Sequence, residues 1–228
     1  MSEGNIYANL SAKLAVLDAM TKLVHECPYD EIKIKDICDV AYISKATFYR
    51  LFESKYDIAT WILRLYSEIG LDEIGRTLTW HEGLSVSVYG LHSYRDFLKA
   101  ANETKFNDSA PAFVTFEHRK ESLIETIECY KGIAVQGRLL FQVETWAKLS
   151  TYIASLWHSN RLPYSPEEYM DYLESVIPRQ LFEILNSPVS PKPMKILNSD
   201  VDGILKTTYL HEYVLNRGFA RTGGTLRF

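Results

Sequence analysis

Apolar residues recur at helical spacing along nearly the whole chain. The first stripe steps by three or four residues from Leu10 to Val24, which places its members on one face of an amphipathic helix that Pro28 ends. No stretch alternates in the way that a half-buried strand does. We therefore predict an all-α fold, with further helices over residues 34–41, 44–52, 54–75, 84–98, 113–130, 139–157 and 166–185.

Local signals mark some of the helix boundaries. Ser44 precedes a short apolar stripe and is a typical N-cap. Ser165, followed by Pro166 and two acids, is a typical helix start. Pro178 predicts a kink in the last of these helices, and residues 78–83 are predicted to form a loop.

Composition narrows the class of protein. A chain of 228 residues with 46% hydrophobic residues can form one domain, or two small domains that share a core. No apolar run approaches the ~20 residues that a membrane span needs. The three cysteines are scattered, which fits a reducing compartment. We therefore expect a cytoplasmic protein with no membrane partner.

Residues that carry out catalysis or bind metals are not grouped at any familiar spacing. The six histidines are not paired as metal ligands are, and the chain has no Gly-rich phosphate loop and no nucleophile elbow. We therefore expect no enzyme activity, no cofactor and no metal site.

Residues 32–57 carry the clearest functional signal. Two short helices joined by a tight turn follow a longer helix, which is a helix-turn-helix arrangement. The small and polar start of the second short helix can enter a major groove, where base edges are accessible. The candidate base-reading residues are Ser44, Lys45, Ala46 and Thr47. The candidate phosphate donors are Lys33, Tyr49 and Lys55.

The stretch from Ile37 to Lys55 resembles the DNA-binding signature of the TetR/AcrR transcriptional regulators. The matching positions are Ala41, Ser44, Thr47, Phe48, Tyr49, Phe52, Ser54 and Lys55. The resemblance implies an all-helical homodimer with an N-terminal three-helix DNA-binding unit and a helical ligand-binding core, whose last two helices form the dimer interface. It also implies that Tyr49 and Lys55 contact phosphates and that residues 44–47 read bases.

The C-terminal half is similar in layout to a branch of that family that includes regulators of dihydroxyacetone kinase operons. The similarity rests on Trp157 and residues 162–168. Two features depart from the family. Tyr42 stands in the inter-helix turn, where the family usually has Gly; it is either strained by a positive φ or positioned to reach DNA. The tail after Pro188 is not required by the family.

The leading hypothesis is a ligand-responsive repressor that a small-molecule effector releases from a pseudo-palindromic, double-stranded DNA operator. The charge of the DNA-binding unit argues against it, because residues 1–58 carry seven Lys and Arg against nine Asp and Glu. The alternative is a family member that no longer binds DNA and acts as a coactivator or adaptor through protein contacts.

The aromatic side chains beyond residue 79 fit either core packing or the lining of a small-molecule cavity. The candidate ligand-binding residues are Trp80, Tyr94, Phe113, Phe116, Tyr130 and Trp146. The wide apolar surfaces of helices 139–157 and 166–185 predict the homodimer face, with Leu156 and Leu181 as outward positions.

We divide the chain into three parts on these grounds. Residues 1–58 form the helix-turn-helix DNA-binding domain, and residues 59–186 form the ligand-binding and dimerisation domain. Residues 187–228 form a Pro-rich linker and tail, since three prolines fall within residues 187–193. We expect the tail to be a loosely docked helix that is dispensable for folding.

Overall fold

The computed structural model describes the backbone of residues 3–104 and 110–187, and the side chains of residues 9–104 and 116–187. Over these ranges the chain is helical and has no β-strand, so the predicted all-α fold is confirmed. The predicted tail helix lies outside the described residues. The helices are α1 (Glu3–Leu23), α2 (Ile34–Ala41), α3 (Lys45–Leu51), α4 (Asp57–Ile69), α5 (Trp80–His92), α6 (Arg95–Asn102), α7 (Ala110–Glu125), α8 (Gly137–His158), α9 (Pro166–Val176) and α10 (Arg179–Asn186).

Serine side chains cap two helices as the sequence predicts. The Ser44 hydroxyl accepts a hydrogen bond from the Thr47 backbone N–H at 3.0 Å and so begins α3. The Ser165 hydroxyl accepts from the Glu168 N–H at 3.2 Å and begins α9. Each hydroxyl satisfies an N–H that has no partner inside its own helix.

The predicted loop over residues 78–83 is wrong, because α5 already begins at Trp80. The Thr79 hydroxyl accepts from the Glu82 N–H at 3.3 Å, while the Thr79 N–H donates to the Glu82 carboxylate at 2.8 Å. This reciprocal pair is a capping box, and it starts the helix ahead of the first apolar stripe.

The last predicted helix is broken rather than kinked. Ile177 has an extended backbone with ψ of 137°, since the ring of Pro178 disfavours the helical region for the residue before it. The segment is therefore two helices, α9 and α10. The predicted helix over residues 84–98 is also two, because α5 ends at His92 and α6 begins at Arg95.

Two clusters of buried apolar side chains form the core. The first lies among α1 to α4 and α6, and the second among α7 to α10. Helix α5 joins them: Val86 and Leu91 belong to the first cluster, and Leu84 and Val88 to the second. The two clusters are therefore packed on opposite sides of one helix.

Helices α4 and α5 pack at very short range. A Cβ atom at Gly90 would come within 2.0 Å of the Tyr66 ring, so only glycine fits there. The Ser87 hydroxyl donates to the Tyr66 carbonyl at 2.6 Å. Buried packing of this kind resists small deformations, so α4 and α5 are held in one relative position.

Candidate functional site

The first turn of α3 presents the predicted base-reading residues at the surface. Lys45 and Ala46 are exposed, and the Ser44 and Thr47 hydroxyls lie 3.0 Å apart. Phe48, on the opposite side of the helix, is fully buried in the first core cluster. The helix is thus anchored by its apolar side, and its small polar start remains accessible.

Two further predicted DNA contacts flank that turn. Lys33 is exposed at the start of α2, where its backbone N–H donates to the Asp36 carboxylate at 3.0 Å. Tyr49 is exposed and packs edge-on against Phe48, with ring centroids 5.6 Å apart. The structure therefore brings Lys33, Tyr49 and the first turn of α3 to the surface of one small helical unit, α1 to α3, which we call the helix-turn-helix unit.

Lys55 differs from its predicted role, because its ammonium points into the protein. The residue is only 8% exposed. Its Nζ donates to the carbonyls of Tyr29, Asp30 and Ile32 at 2.7, 2.9 and 2.8 Å. An ammonium has three N–H donors, so none remains for a phosphate. Burial also lowers the pKa of Lys55.

The inter-helix turn places Tyr42 in the left-handed region, with φ of 53° and ψ of 41°. Its side chain is 94% exposed. A positive φ strains a residue that has a Cβ atom, so the backbone strain predicted as one alternative for Tyr42 is present. The exposed ring also lies at the turn that precedes α3.

A cavity of about 400 Å³ lies between the two core clusters. Helices α4, α5, α8 and α9 supply most of its walls. Trp157 and Tyr169 stack on one another in its wall, with ring centroids 4.5 Å apart and planes inclined by 7°. Trp80 and Trp146 pack together in another part of the wall, with centroids 5.6 Å apart. The size and aromatic lining are those of a small-molecule site.

Few charged groups reach the cavity wall. Arg119 lines it, is 5% exposed and donates to the Leu71 carbonyl at 2.9 Å. Asp57 lines it at another point, where its carboxylate accepts from the Ser54 N–H and hydroxyl at 2.7 and 3.1 Å. Burial lowers the pKa of His158 to about 4, so this ring is neutral at physiological pH.

The cavity also touches the connection between the helix-turn-helix unit and α4. Tyr29 and Tyr56 line it, and their rings lie 5.7 Å apart. The Tyr29 hydroxyl donates to the Lys55 carbonyl at 2.8 Å, and the Tyr29 carbonyl accepts from the Lys55 ammonium. A molecule in the cavity would therefore contact the side chains that hold the unit on α4.

Of the predicted ligand-binding residues, Trp80 and Trp146 line the cavity. Phe113 lies outside the residues with described side chains. Tyr94, Phe116 and Tyr130 are half-buried elsewhere: Tyr94 packs on the first core cluster, Phe116 lies under two lysines, and the Tyr130 ring stacks 4.9 Å from the Arg76 guanidinium. The spacing of apolar residues identifies aromatic side chains that are buried, but it does not show which side of a helix faces a cavity.

Sequence reasoning missed several wall residues. Trp157 was assigned to the dimer helix and Tyr169 to the apolar stripe of α9, although both line the cavity. Arg119 lies in no motif, because a single arginine in a helix resembles a solvated surface residue. The available signal is its position, since Arg119 lies one turn before the buried Leu123 on α7.

Exposed apolar side chains recur on α8 and α9. We call this set the apolar band; it comprises Phe141, Leu149, Tyr152, Tyr172 and Val176. The predicted outward position Leu181 is wrong, since this side chain is 0% exposed in the second core cluster. Leu156 is half-buried.

Two further properties concern only the described residues. No group of three or more His, Cys, Asp or Glu side chains among them is placed to hold a metal ion. None of the described helices is both long enough and apolar enough to cross a membrane.

Comparison with solved structures identifies a similar fold. The chain superposes on a protein described as "Dihydroxyacetone kinase operon activator DhaS" with a TM-score of 0.57, covering 77% of this chain and 98% of that one. The two proteins share a fold. It is the all-α, TetR-like fold that the sequence resemblance implied. Sequence identity is 18%. No protein-family model matches the chain, and no curated protein matches it.

Proposed function

We propose that the protein is a DNA-binding transcriptional regulator whose affinity for DNA is set by a small molecule in the cavity. The observation that carries the proposal is the first turn of α3, whose polar side chains are exposed. The apolar side of the same helix is buried in the core of the helix-turn-helix unit and holds that turn at the surface. The shared fold with a protein named as an operon activator supports it.

In this proposal α3 enters the major groove with Ser44, Lys45, Ala46 and Thr47 toward the base edges. Lys33 and Tyr49 donate to phosphates on either side, which fixes the register without specifying sequence. Lys55 acts differently from the resemblance: it ties the loop before α2 to the start of α4. Two copies of the unit in a homodimer read the two halves of a pseudo-palindromic operator.

The apolar band supports the homodimer. Among residues with described side chains, nine large apolar residues are exposed, and five of them form the apolar band on α8 and α9. Apolar side chains gathered in one region mark an interaction surface, whereas scattered ones need no explanation. We propose that α8 and α9 of two copies pack there.

The cavity supplies the regulation. A ligand shifts a conformational equilibrium only if it binds one state more tightly. Tyr29 and Tyr56 contribute both to the cavity wall and to the contacts around Lys55, so filling the cavity favours a different seating of the helix-turn-helix unit. The effector therefore releases the operator, and the protein acts as a repressor.

A gel-shift titration with DNA from upstream of the protein's own coding sequence tests DNA binding, at low and at physiological salt. Thr47→Ala should relax discrimination between base-pair variants of the operator. Lys33→Ala should weaken binding to all sequences alike and reduce the salt slope by about one. Arg179→Ala removes an exposed arginine on α10 and is the matched control, with unchanged binding.

The second candidate function is an adaptor that works through protein contacts. It is favoured by the excess of acids in residues 1–58 and by the burial of the Lys55 ammonium, which removes a cation from the DNA-facing surface. The same titration separates the two: no sequence-specific shift at micromolar protein in either salt would replace the regulator with the adaptor.

A further inference from the structure

The structure gives the cavity a chemical preference, which rests on the proposed function only in treating the cavity as a ligand site. Its wall contains a buried guanidinium, that of Arg119, among aromatic rings. A buried cation is stable only when a negative group compensates its charge. The counter-charges around Arg119 therefore indicate what the cavity can accept.

Among the described residues, Arg119 shares its negative counter-charge with a second cationic group. The carboxylate of Asp72 lies 3.9 Å from Arg119 Nη1, but it lies 2.6 Å from Nε2 of His118. That hydrogen bond raises the pKa of His118, which favours the charged imidazolium. One carboxylate thus faces two cationic groups, and it lies closer to the histidine than to the arginine.

The guanidinium also has donors to spare. Its hydrogen bond among the described residues goes from Nη1 to the Leu71 carbonyl. An arginine has five N–H donors in a planar fork that matches a carboxylate. The acid that lines the cavity among the described residues is Asp57, and its carboxylate accepts from Ser54 at the start of α4.

Further polar nitrogens at the wall lack partners among the described residues. The ring nitrogens Nε1 of Trp80 and Trp146 and Nδ1 of His158 are buried with no hydrogen-bond partner among the described residues. All three side chains line the cavity. Buried polar groups in folded proteins are nearly always paired, so this group of unpaired nitrogens indicates a missing partner.

We propose that the cavity binds a small organic anion, with a one- or two-ring aromatic body and a single carboxylate. The carboxylate meets Arg119, and the body lies against Trp80, Trp146 and the Trp157–Tyr169 stack. The volume of about 400 Å³ is near the lower end of the ~300–1,000 Å³ range of small-molecule sites, which limits the body to one or two rings.

The test compares acids with their uncharged amides in the absence of DNA. The probes are phenylacetate, 2-naphthylacetate and indole-3-acetate, each paired with its primary amide. Full-length protein is titrated at pH 7.5 and followed by tryptophan fluorescence, because Trp80, Trp146 and Trp157 line the cavity. At least one acid should bind ten-fold or more tightly than its amide.

Arg119→Gln should reduce that preference to less than two-fold and leave the affinity for the amide unchanged. The matched control is Arg76→Gln. Arg76 is a buried arginine that donates to Thr126, Ser122 and Glu125 and lies outside the cavity wall. Arg76→Gln should retain the full preference, provided that circular dichroism shows both variants to be helical.

Equal affinity for acids and amides, or failure of all three acids to bind, overturns the proposal. The comparison on the wild-type protein needs no variant, so it decides the matter even if Arg119→Gln does not fold. An acid that binds without changing operator affinity upholds this inference and contradicts the proposed regulation. Operator binding with no preference for acids over amides contradicts this inference and leaves the proposed DNA-binding function standing.

Discussion

At the start of α4, the Lys55 ammonium satisfies three backbone carbonyls of the loop that precedes α2. Lys55→Met keeps the length of the side chain but removes the donor to all three carbonyls; the Tyr29 carbonyl keeps its bond from the Ile32 N–H, whereas those of Asp30 and Ile32 lose their partner. We expect the free energy of unfolding to fall by about 3 kcal/mol, because hydrogen bonds from charged donors are strong and unpaired buried acceptors are costly. Urea denaturation measures the change.

Lys45→Met is the matched control, since it alters an exposed lysine on α3 in the same unit. Its effect on stability should stay within about 0.5 kcal/mol. If Lys55→Met instead leaves stability intact and weakens binding to all DNA sequences, then Lys55 contacts phosphate, as the family resemblance implied.

His158 makes the protein sensitive to acid. Its pKa is about 4 in the folded protein, because of burial and the nearby His92, and about 6.5 when the chain is unfolded. Between these values the unfolded state binds more protons, so stability falls as the pH drops from 6.5 toward 4. The slope from this group is at most about 1.4 kcal/mol per pH unit.

His158→Gln should flatten that part of the stability curve, measured by urea denaturation at several pH values. Gln180→Ala, at an exposed position without a titratable group, should leave the slope as it is. His118 does not interfere, because its raised pKa adds stability that is fully present below pH 6.5 and is lost only at higher pH. Parallel wild-type and His158→Gln curves would contradict the assignment.

At the scale of elements, the turn between α2 and α3 carries backbone strain at Tyr42. Tyr42→Gly should raise the free energy of unfolding by about 1 kcal/mol, because glycine adopts a positive φ without a Cβ penalty. If the exposed ring also contacts DNA, the same variant will bind the operator more weakly while being more stable. Thermal denaturation and a gel shift together show whether the Tyr42 side chain only strains the turn or also contacts DNA.

The helices were predictable where local chemistry decides them. The Ser44 and Ser165 caps are short-range hydrogen bonds, so the sequence pattern locates α3 and α9 well. The start of α5 was missed because the pattern followed apolar spacing, whereas the Thr79–Glu82 capping box sets the boundary. The sequence predicts that Pro178 kinks one long helix, but its effect on the backbone of Ile177 ends α9 instead.

The cavity was less predictable than the helices for a physical reason. Periodicity indicates that Trp146 is buried, but not that a gap remains beside it, and Trp80 falls in a segment that the pattern predicts as a loop. The Trp157–Tyr169 stack depends on how α8 and α9 cross, which distant contacts determine. In the same way, the sequence places Lys55 on a DNA-binding motif, but only the fold brings the three carbonyls to its ammonium.

At the scale of the whole molecule, the arrangement of α4 connects the proposed functions. Its start is tied to the helix-turn-helix unit by Lys55, and its side chains from Ala59 to Ser67 line the cavity. Beyond its end, the Leu71 carbonyl accepts from Arg119 of α7. Under the proposed function, a ligand that engages Arg119 would act on the segment whose other end is tied to the helix-turn-helix unit.

The proposed homodimer is the last part of the proposed function to test, because one copy would occupy only half of a pseudo-palindromic operator. Charged substitution in the apolar band tests it: Phe141→Glu, at a position 68% exposed, and Tyr152→Glu, at one 63% exposed, should give folded monomers. Neither site has a core role, so the melting temperature of the isolated chain should change little, whereas a buried charge at an interface costs several kcal/mol. Light scattering measures the mass.

Operator affinity should fall together with the mass, because dimerisation joins the two half-site contacts. Ile133→Glu is the control: it replaces an exposed apolar residue outside the band, before α8, and should leave the dimer intact. Leu181→Glu is unsuitable for this test, since it places a charge in the core and unfolds the chain. Dimers that persist in both Phe141→Glu and Tyr152→Glu would move the interface away from α8 and α9, and monomers with full operator affinity would remove the need for a dimer.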